Sequence, residues 1–144
     1  MGKKRIIKKG GASVNQGLRA RALSRASRRK CDRGTLYIQA TYNNTIVTLA
    51  DKQGNTLMAS SSGSLGFKGA KKSTPFASAK VGELLGEKAQ QMGMTEANVV
   101  IRGVGPGRES AMRAFVAKGV ALSNIRDETP VPFNGPRAKK PRRV

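Results

Sequence analysis

From residue 36 the chain alternates apolar and polar positions through LYIQATY, turns at Asn43 and Asn44, and alternates back through TIVTLA at 45–50. A period of two on either side of a short polar break predicts two strands joined as a hairpin. DKQGN at 51–55 supplies a second turn, and 56–60 a short third strand. A loop of small residues occupies 60–69, after which Ser73 or Thr74 is placed to cap a helix with Pro75 in its first turn. Val81, Leu84, Leu85, Ala89 and Met92 then recur at helical spacing, and Gly93 ends the helix. NVVIR at 98–102 reads as a buried strand. Residues 108–118 read as a second helix with Met112, Phe115 and Val116 inward and Gly119 as its stop, and 120–127 as the last strand. The order βββαβαβ, a meander followed by two right-handed crossovers, predicts an α/β domain with a mixed sheet covered by helices.

Outside this span the apolar period is lost and charge replaces it. Residues 1–34 hold twelve Lys and Arg against Asp32 alone, and residues 129–144 hold five with no acid, which is +16 of the chain's +20. The expected organisation is a basic extension (1–34), a nearly neutral core (35–128) and a basic tail (129–144). Both arms have too few apolar residues to offset the entropy of ordering, so they are expected to be disordered in the free protein. The stretch 18–29 has helix-forming residues and is expected to fold only on a partner. So large an excess of one sign calls for a polyanion, and nucleic acid is the first expectation. A membrane is not expected, since no run approaches the ~18 apolar residues of a spanning helix. The N-terminus lacks the apolar segment of a secretory signal, so a cytoplasmic location with the basic segment retained is expected. The single cysteine, Cys31, in a chain without His makes neither an internal disulfide nor a zinc site. Six aromatic residues are too few for a base-stacking platform.

Two loops carry candidate chemistry. Gly103, Val104, Gly105, Pro106, Gly107 and Arg108 join a strand to a helix, where phosphate-cradling loops occur. Asp127 about 20 residues on invites a dinucleotide reading. The spacing G-x-G-x-G, the donor lost at Pro106 and the lack of a second half of such a fold after Asp127 speak against it. A site for an RNA phosphate, made by Gly103, Gly105 and Gly107 with Arg102 and Arg108, fits better. On that reading Arg108 opposes the helix dipole and its loss leaves the fold intact. The second loop places Lys68, Lys71, Lys72 and Ser73 before a helix start, where cations gain only if a phosphate is held there. In the arms, Arg19, Arg21, Arg28, Arg29, Arg137, Lys139, Lys140, Arg142 and Arg143 are the expected RNA contacts. No catalytic constellation emerges. Glu83 and Glu87 with Lys80 and Lys88 read as a solvated helix face. Neither cofactor, metal nor small-molecule substrate is expected. A nucleotide-dependent enzyme and a nucleoid-type DNA binder are the rival classes.

Five motifs in order, YNNTIVT (42–48), DKQGN (51–55), GFKGAKKSTPFA (66–77), GPGRES (105–110) and NIRDETPVPFNG (124–135), resemble the S-eleven family of small-subunit ribosomal proteins. The resemblance implies a three-layer α/β/α fold, similar to ribonuclease H without its acidic catalytic residues. It implies a component of the subunit platform that bridges helices of the small-subunit RNA near the messenger exit path, beside other platform proteins and with messenger RNA nearby. It adds Asn134 as an RNA contact and, from bacterial members, as an isoaspartate site. Phe133 and Pro136 around Asn134-Gly135 depart from the family pattern, and the first ~30 residues are longer than the family leads one to expect.

Overall fold

The structure, a computed structural model, describes residues 15–25 and 29–143. Strands β1 (Arg33–Ala40), β2 (Thr45–Asp51) and β3 (Thr56–Ser61) form the meander, and a 3-10 turn at Gly69–Ser73 leads into helix α2 (Pro75–Gln91). Strand β4 (Glu96–Arg102), helix α3 (Gly107–Val116) and strand β5 (Ala121–Asp127) complete the expected order, and helix α1 (Gln16–Arg25) precedes it. The sheet runs β3-β2-β1-β4-β5, with β1 parallel to β4 and β4 parallel to β5 and the other pairs antiparallel. A mixed five-stranded sheet with three helices is consistent with the expected three-layer α/β architecture.

Register explains the core. Leu36 stands opposite Leu49 and Val99, and Ile38 opposite Val47 and Ile101, so one face of the sheet is a continuous apolar patch. Val81, Leu84 and Leu85 of α2 and Ala111 and Phe115 of α3 close over it, all within 1 % of full burial. Phe115 and Ala111, four residues apart, set the inner face of α3. Val116 therefore turns outward and is 37 % exposed, contrary to the inward position expected of it, while Met112 packs at the margin. Thr74, not Ser73, caps α2: its hydroxyl accepts from the Ala77 amide at 3.4 Å, while Ser73 donates to the Ala70 carbonyl. The opposite sheet face carries Tyr37 and Ile46, both exposed, with Thr48 and Val100.

The N-terminal extension departs from expectation. Residues 16–25 are helical and docked rather than free, with 1–14 and 26–28 lying outside the described residues. The Asn15 amide donates to the Leu65 carbonyl at 3.4 Å, Leu18 lies over Gly66, and Ala22 and Leu23 pack against the core. Glu87 of α2 accepts from Arg19 and, at 3.2 Å, from Lys118 of α3. Beyond the helix, the Cys31 amide reaches the Met92 carbonyl at 3.1 Å. The described parts of the extension thus strap α2 at both ends, residues 15–25 from the loop before its first turn and Cys31 at the residue after its last. Glu83, which pairs with Lys80, and Glu87 are both half-buried and Lys88 is buried, so this stretch is not the solvated face expected of it. Burial raises the Glu87 carboxyl, but the hydrogen bonds from Arg19 and Lys118 outweigh it and hold the group below the usual range.

Candidate nucleic-acid interface

The sheet has two ends, and the elements that the sequence marks as basic or glycine-rich collect at one of them. Ala40 pairs with Thr45, Gln39 with Arg102, Ile46 with Ser61 and Ile101 with Asp127. From these strand ends leave the 103–106 loop, the 62–73 loop and the C-terminal tail, all on one side of the molecule.

In the glycine loop, the close approach that glycine permits is to the protein itself. A Cβ on Gly103, at φ 95°, would overlap the Ala40 carbonyl oxygen, and one on Gly105 the Thr41 carbonyl oxygen. The Gly105 amide donates to Ala40 O at 3.1 Å, so the loop is bonded down onto the end of β1. Gly107 sits against the buried hydroxyls of Thr45 and Ser78, which bond each other at 2.9 Å. Gly105 and Gly107 are buried, and only Val104 and Pro106 stand fully outside.

Both arginines flanking the loop are engaged as well. Arg108 donates to the Gly103 carbonyl, to the Thr129 hydroxyl at 3.2 Å and to the Asp127 carboxylate. Thr129 closes the clasp by accepting from the Gly103 amide at 3.2 Å, and Arg102 pairs with Glu128 at 2.8 Å. Asp127, the residue that invited a ribose contact, is thus a partner of Arg108. Hydrogen bonds from the Thr129 hydroxyl, then from Arg108, then from the Thr129 amide hold its carboxyl down at about 2.

This geometry corrects the expectation that the fold is indifferent to Arg108. Arg108→Ala should destabilise the free protein by about 1–2 kcal/mol, because the Gly103 carbonyl loses its donor. Since the folded value of Asp127 lies below the usual 3.8, the clasp's pH-linked stability is fully present above pH 4 and fades as pH falls through about 2. In Arg108→Ala the carboxyl should titrate closer to its usual value, with Thr129 still holding part of the shift. An NMR titration of the Asp127 carboxyl carbon reads this; a value unmoved by the substitution would show that Arg108 is not its partner in solution.

The remaining cations sort by whether an acid holds them. Among the described residues these acids are in ion pairs: Glu83 with Lys80, Glu87 with Arg19 and Lys118, Glu96 with Arg33, Glu109 with Arg113, Asp127 with Arg108, and Glu128 with Arg102 and Arg126. These fix cations of the folded body. Among the described residues Lys68, Lys71 and Lys72 have no such partner, and Lys68 and Lys71 are exposed. Neither do Arg137, Lys139, Lys140, Arg142 and Arg143, on a fully exposed tail without helix or strand. Arg21 is exposed, Arg29 has a partner of its own, and Arg28 lies outside the described residues. Asn134 is exposed at φ 53°, a left-handed turn residue beside Gly135.

The structure therefore brings the lysine loop and the tail to one end and withdraws Arg19, Arg102 and Arg108 into ion pairs. What the sequence reading missed was the clasp. Its signal was available: Arg108 and Asp127, opposite charges 19 residues apart, stand at facing ends of α3 and β5.

Among the described residues no helix is long and apolar enough to cross a membrane. Residues 34–143 match the family described as Ribosomal protein S11. The chain is 55 % identical over 111 residues to a small ribosomal subunit protein uS11 from Treponema pallidum, covering 77 % of this chain and 88 % of the relative. It is 46 % identical over 125 residues to the protein of the same name from Leptothrix cholodnii, covering 87 % and 93 %.

Proposed function

The chain belongs to the ribosomal protein S11 family, and from this membership and the placement of its unpaired cations we propose how it acts in the small ribosomal subunit. Its family is one of ribosomal structural proteins and not of enzymes, and its partners are the subunit's RNA and proteins. The finer reading is that it sits on the platform and bridges RNA helices near the messenger exit path, beside neighbouring platform proteins, in a ribosome of the cytoplasm. Lys68, Lys71 and Lys72 with the tail cations carry the RNA contact. Arg102, Arg108 and the loop glycines support it from behind by fixing the strand ends and the start of the tail.

The observation that supports this most is the division of charge: acids pair with most cations of the folded body, while among the described residues all those of one loop and the tail are without an acid partner. Eight unpaired cations, three in the loop and five in the tail, then face phosphates, and log affinity for small-subunit RNA should fall against log salt with a slope of roughly −6. A filter-binding titration that gives a slope near zero would remove the electrostatic account. Recovery of the chain outside the small-subunit fraction in a ribosome sedimentation profile would remove the ribosomal one.

Asn134 is a further part of the reading. It precedes glycine, whose bare Cα leaves the following amide free to reach the Asn side chain, and it is fully open to water. Partial conversion to isoaspartate is expected in aged ribosomes. Peptide mapping that recovers only unmodified Asn134 would end that expectation.

A further inference from the structure

Four of the six aromatic residues are exposed, and two of them stand on the folded body at the end where the lysine loop lies. Tyr42, 73 % exposed, is in the turn between β1 and β2. That turn is closed on itself: the Thr41 amide donates to the Asn44 carbonyl at 2.8 Å, and the Thr41 hydroxyl accepts from the Asn44 amide at 3.1 Å. Phe76, 53 % exposed, is in the first turn of α2, which the Thr45–Ser78 hydroxyl pair pins to the start of β2. Its ring is braced. Buried Phe67 meets it at 84° with ring centroids 6.1 Å apart, and the Lys80 ammonium lies over it, 5.6 Å from the centroid. Of the other two exposed rings, Tyr37 is on the sheet face that turns away from α2 and α3, and Phe133 is in the tail.

A single exposed apolar side chain is ordinary on a protein surface. These two differ in what stands beside them. Lys68, Lys71 and Lys72, without an acid partner among the described residues, lie on the loop that runs into α2 just ahead of Phe76. The acids where α3 begins and β5 ends, Glu109, Asp127 and Glu128, are each in an ion pair. A partner for this end therefore brings negative charge for the lysines and flat apolar faces for the rings. Nucleic acid has both, and only unpaired nucleotides leave their faces open. We infer that Tyr42 and Phe76 stack on unpaired bases of the small-subunit RNA, so that this end takes loop or bulge nucleotides and not backbone charge alone. The inference rests on the proposed RNA contact of the lysine loop and tail, and adds a component that salt does not screen. Stacking neutralises no phosphate and releases no counterion, so it multiplies the affinity by the same factor at every salt concentration. The closed turn around Tyr42 and the braced ring of Phe76 lower the entropy that such a contact loses on binding. This is no sheet platform of the kind that six aromatic residues are too few to build. The rings stand instead on a turn and a helix start.

Filter binding of the full-length protein to small-subunit RNA, repeated across salt concentrations, tests the inference. Tyr42→Leu and Phe76→Leu keep an apolar side chain, remove the flat face and leave every proposed cation in place. Each should weaken binding by about tenfold at every salt concentration, with the slope of wild type, and Tyr42→Phe should bind as wild type does. Phe76→Leu also loses its contact with Phe67, so the two Tyr42 variants decide the matter if Phe76→Leu melts lower. Leucine variants that bind like wild type, as they would if a neighbouring protein covered the rings, overturn the stacking and leave the phosphate contact standing. A loss accompanied by a shallower slope overturns it too, since the rings then act through the lysines. A slope near zero in the wild type removes the phosphate contact and the inference with it. In reconstituted small subunits, 2′-hydroxyl acylation should show a few unpaired nucleotides more reactive with Tyr42→Leu than with wild type. Unchanged reactivity, or a change confined to paired helices, overturns the inference.

Discussion

Replacing Gly103 by valine should lower the melting temperature of the free protein by about 15 °C. The backbone at Gly103 is left-handed, at φ 95°, which costs an L residue about 1–2 kcal/mol. Its Cβ direction points into the Ala40 carbonyl, and forcing bulk into a closed contact adds about 1–3 kcal/mol. Together these reach about 2–5 kcal/mol, whose middle is some 15 °C at the ~4 °C per kcal/mol of a chain this size. Gly105→Val has the crowding without the positive φ and should fall between this variant and wild type. Gly54 is the control: it shares the left-handed backbone, at φ 89°, but has nothing within 4 Å of its Cβ direction. Gly54→Ala should therefore cost only the backbone part, about 1–2 kcal/mol. A Gly103→Val protein that melts like Gly54→Ala would show that the loop lifts off β1 without penalty.

Ending the chain after Gly135 should weaken binding to small-subunit RNA by about a thousandfold at 0.15 M salt and make the salt slope shallower by about 3.5–4.5. The five cations removed, Arg137, Lys139, Lys140, Arg142 and Arg143, touch no acid among the described residues. Thr129 and the rest of the clasp stay, so the free protein should melt as before. Converting Lys68, Lys71 and Lys72 to Gln should have the smaller effect of three charges, about 2–2.7 in slope. A truncated chain with the wild-type slope would show that the tail lies away from RNA, whatever its charge.

The core was legible because its information is local. Alternation in β1 and β2 and the spacing of Val81, Leu84 and Leu85 state which face is buried without reference to the rest of the chain. Val116 was misplaced because a helix's inner face depends on where its packing partners lie, and Ala111 with Phe115 claimed it. The strap was misjudged for a related reason. Leu18, Ala22 and Leu23 are a thin stripe that holds a helix only against Leu65, Gly66 and Glu87, which no window around residue 20 contains. The glycine loop shows a different gap between sequence and structure. Spacing says where the backbone comes close to something, but not to what, and here that something is the end of β1 rather than a ligand. The same holds for Arg102 and Arg108, whose partners Glu128 and Asp127 are brought to them by the parallel pairing of β4 with β5.

The strap also has a place in time. Arg19 leaves the site of synthesis 68 residues before Glu87, its partner on α2. At about 5–20 residues per second that separation is a wait of roughly 3–14 s, and a ten-residue helix is marginal in water until something holds it. For those seconds the first segment made is a basic thread with no surface to lie on. The strap therefore closes only once α2 has been made, although it is translated well before it, and whatever meets the nascent chain early meets Arg19 and Arg21 unguarded.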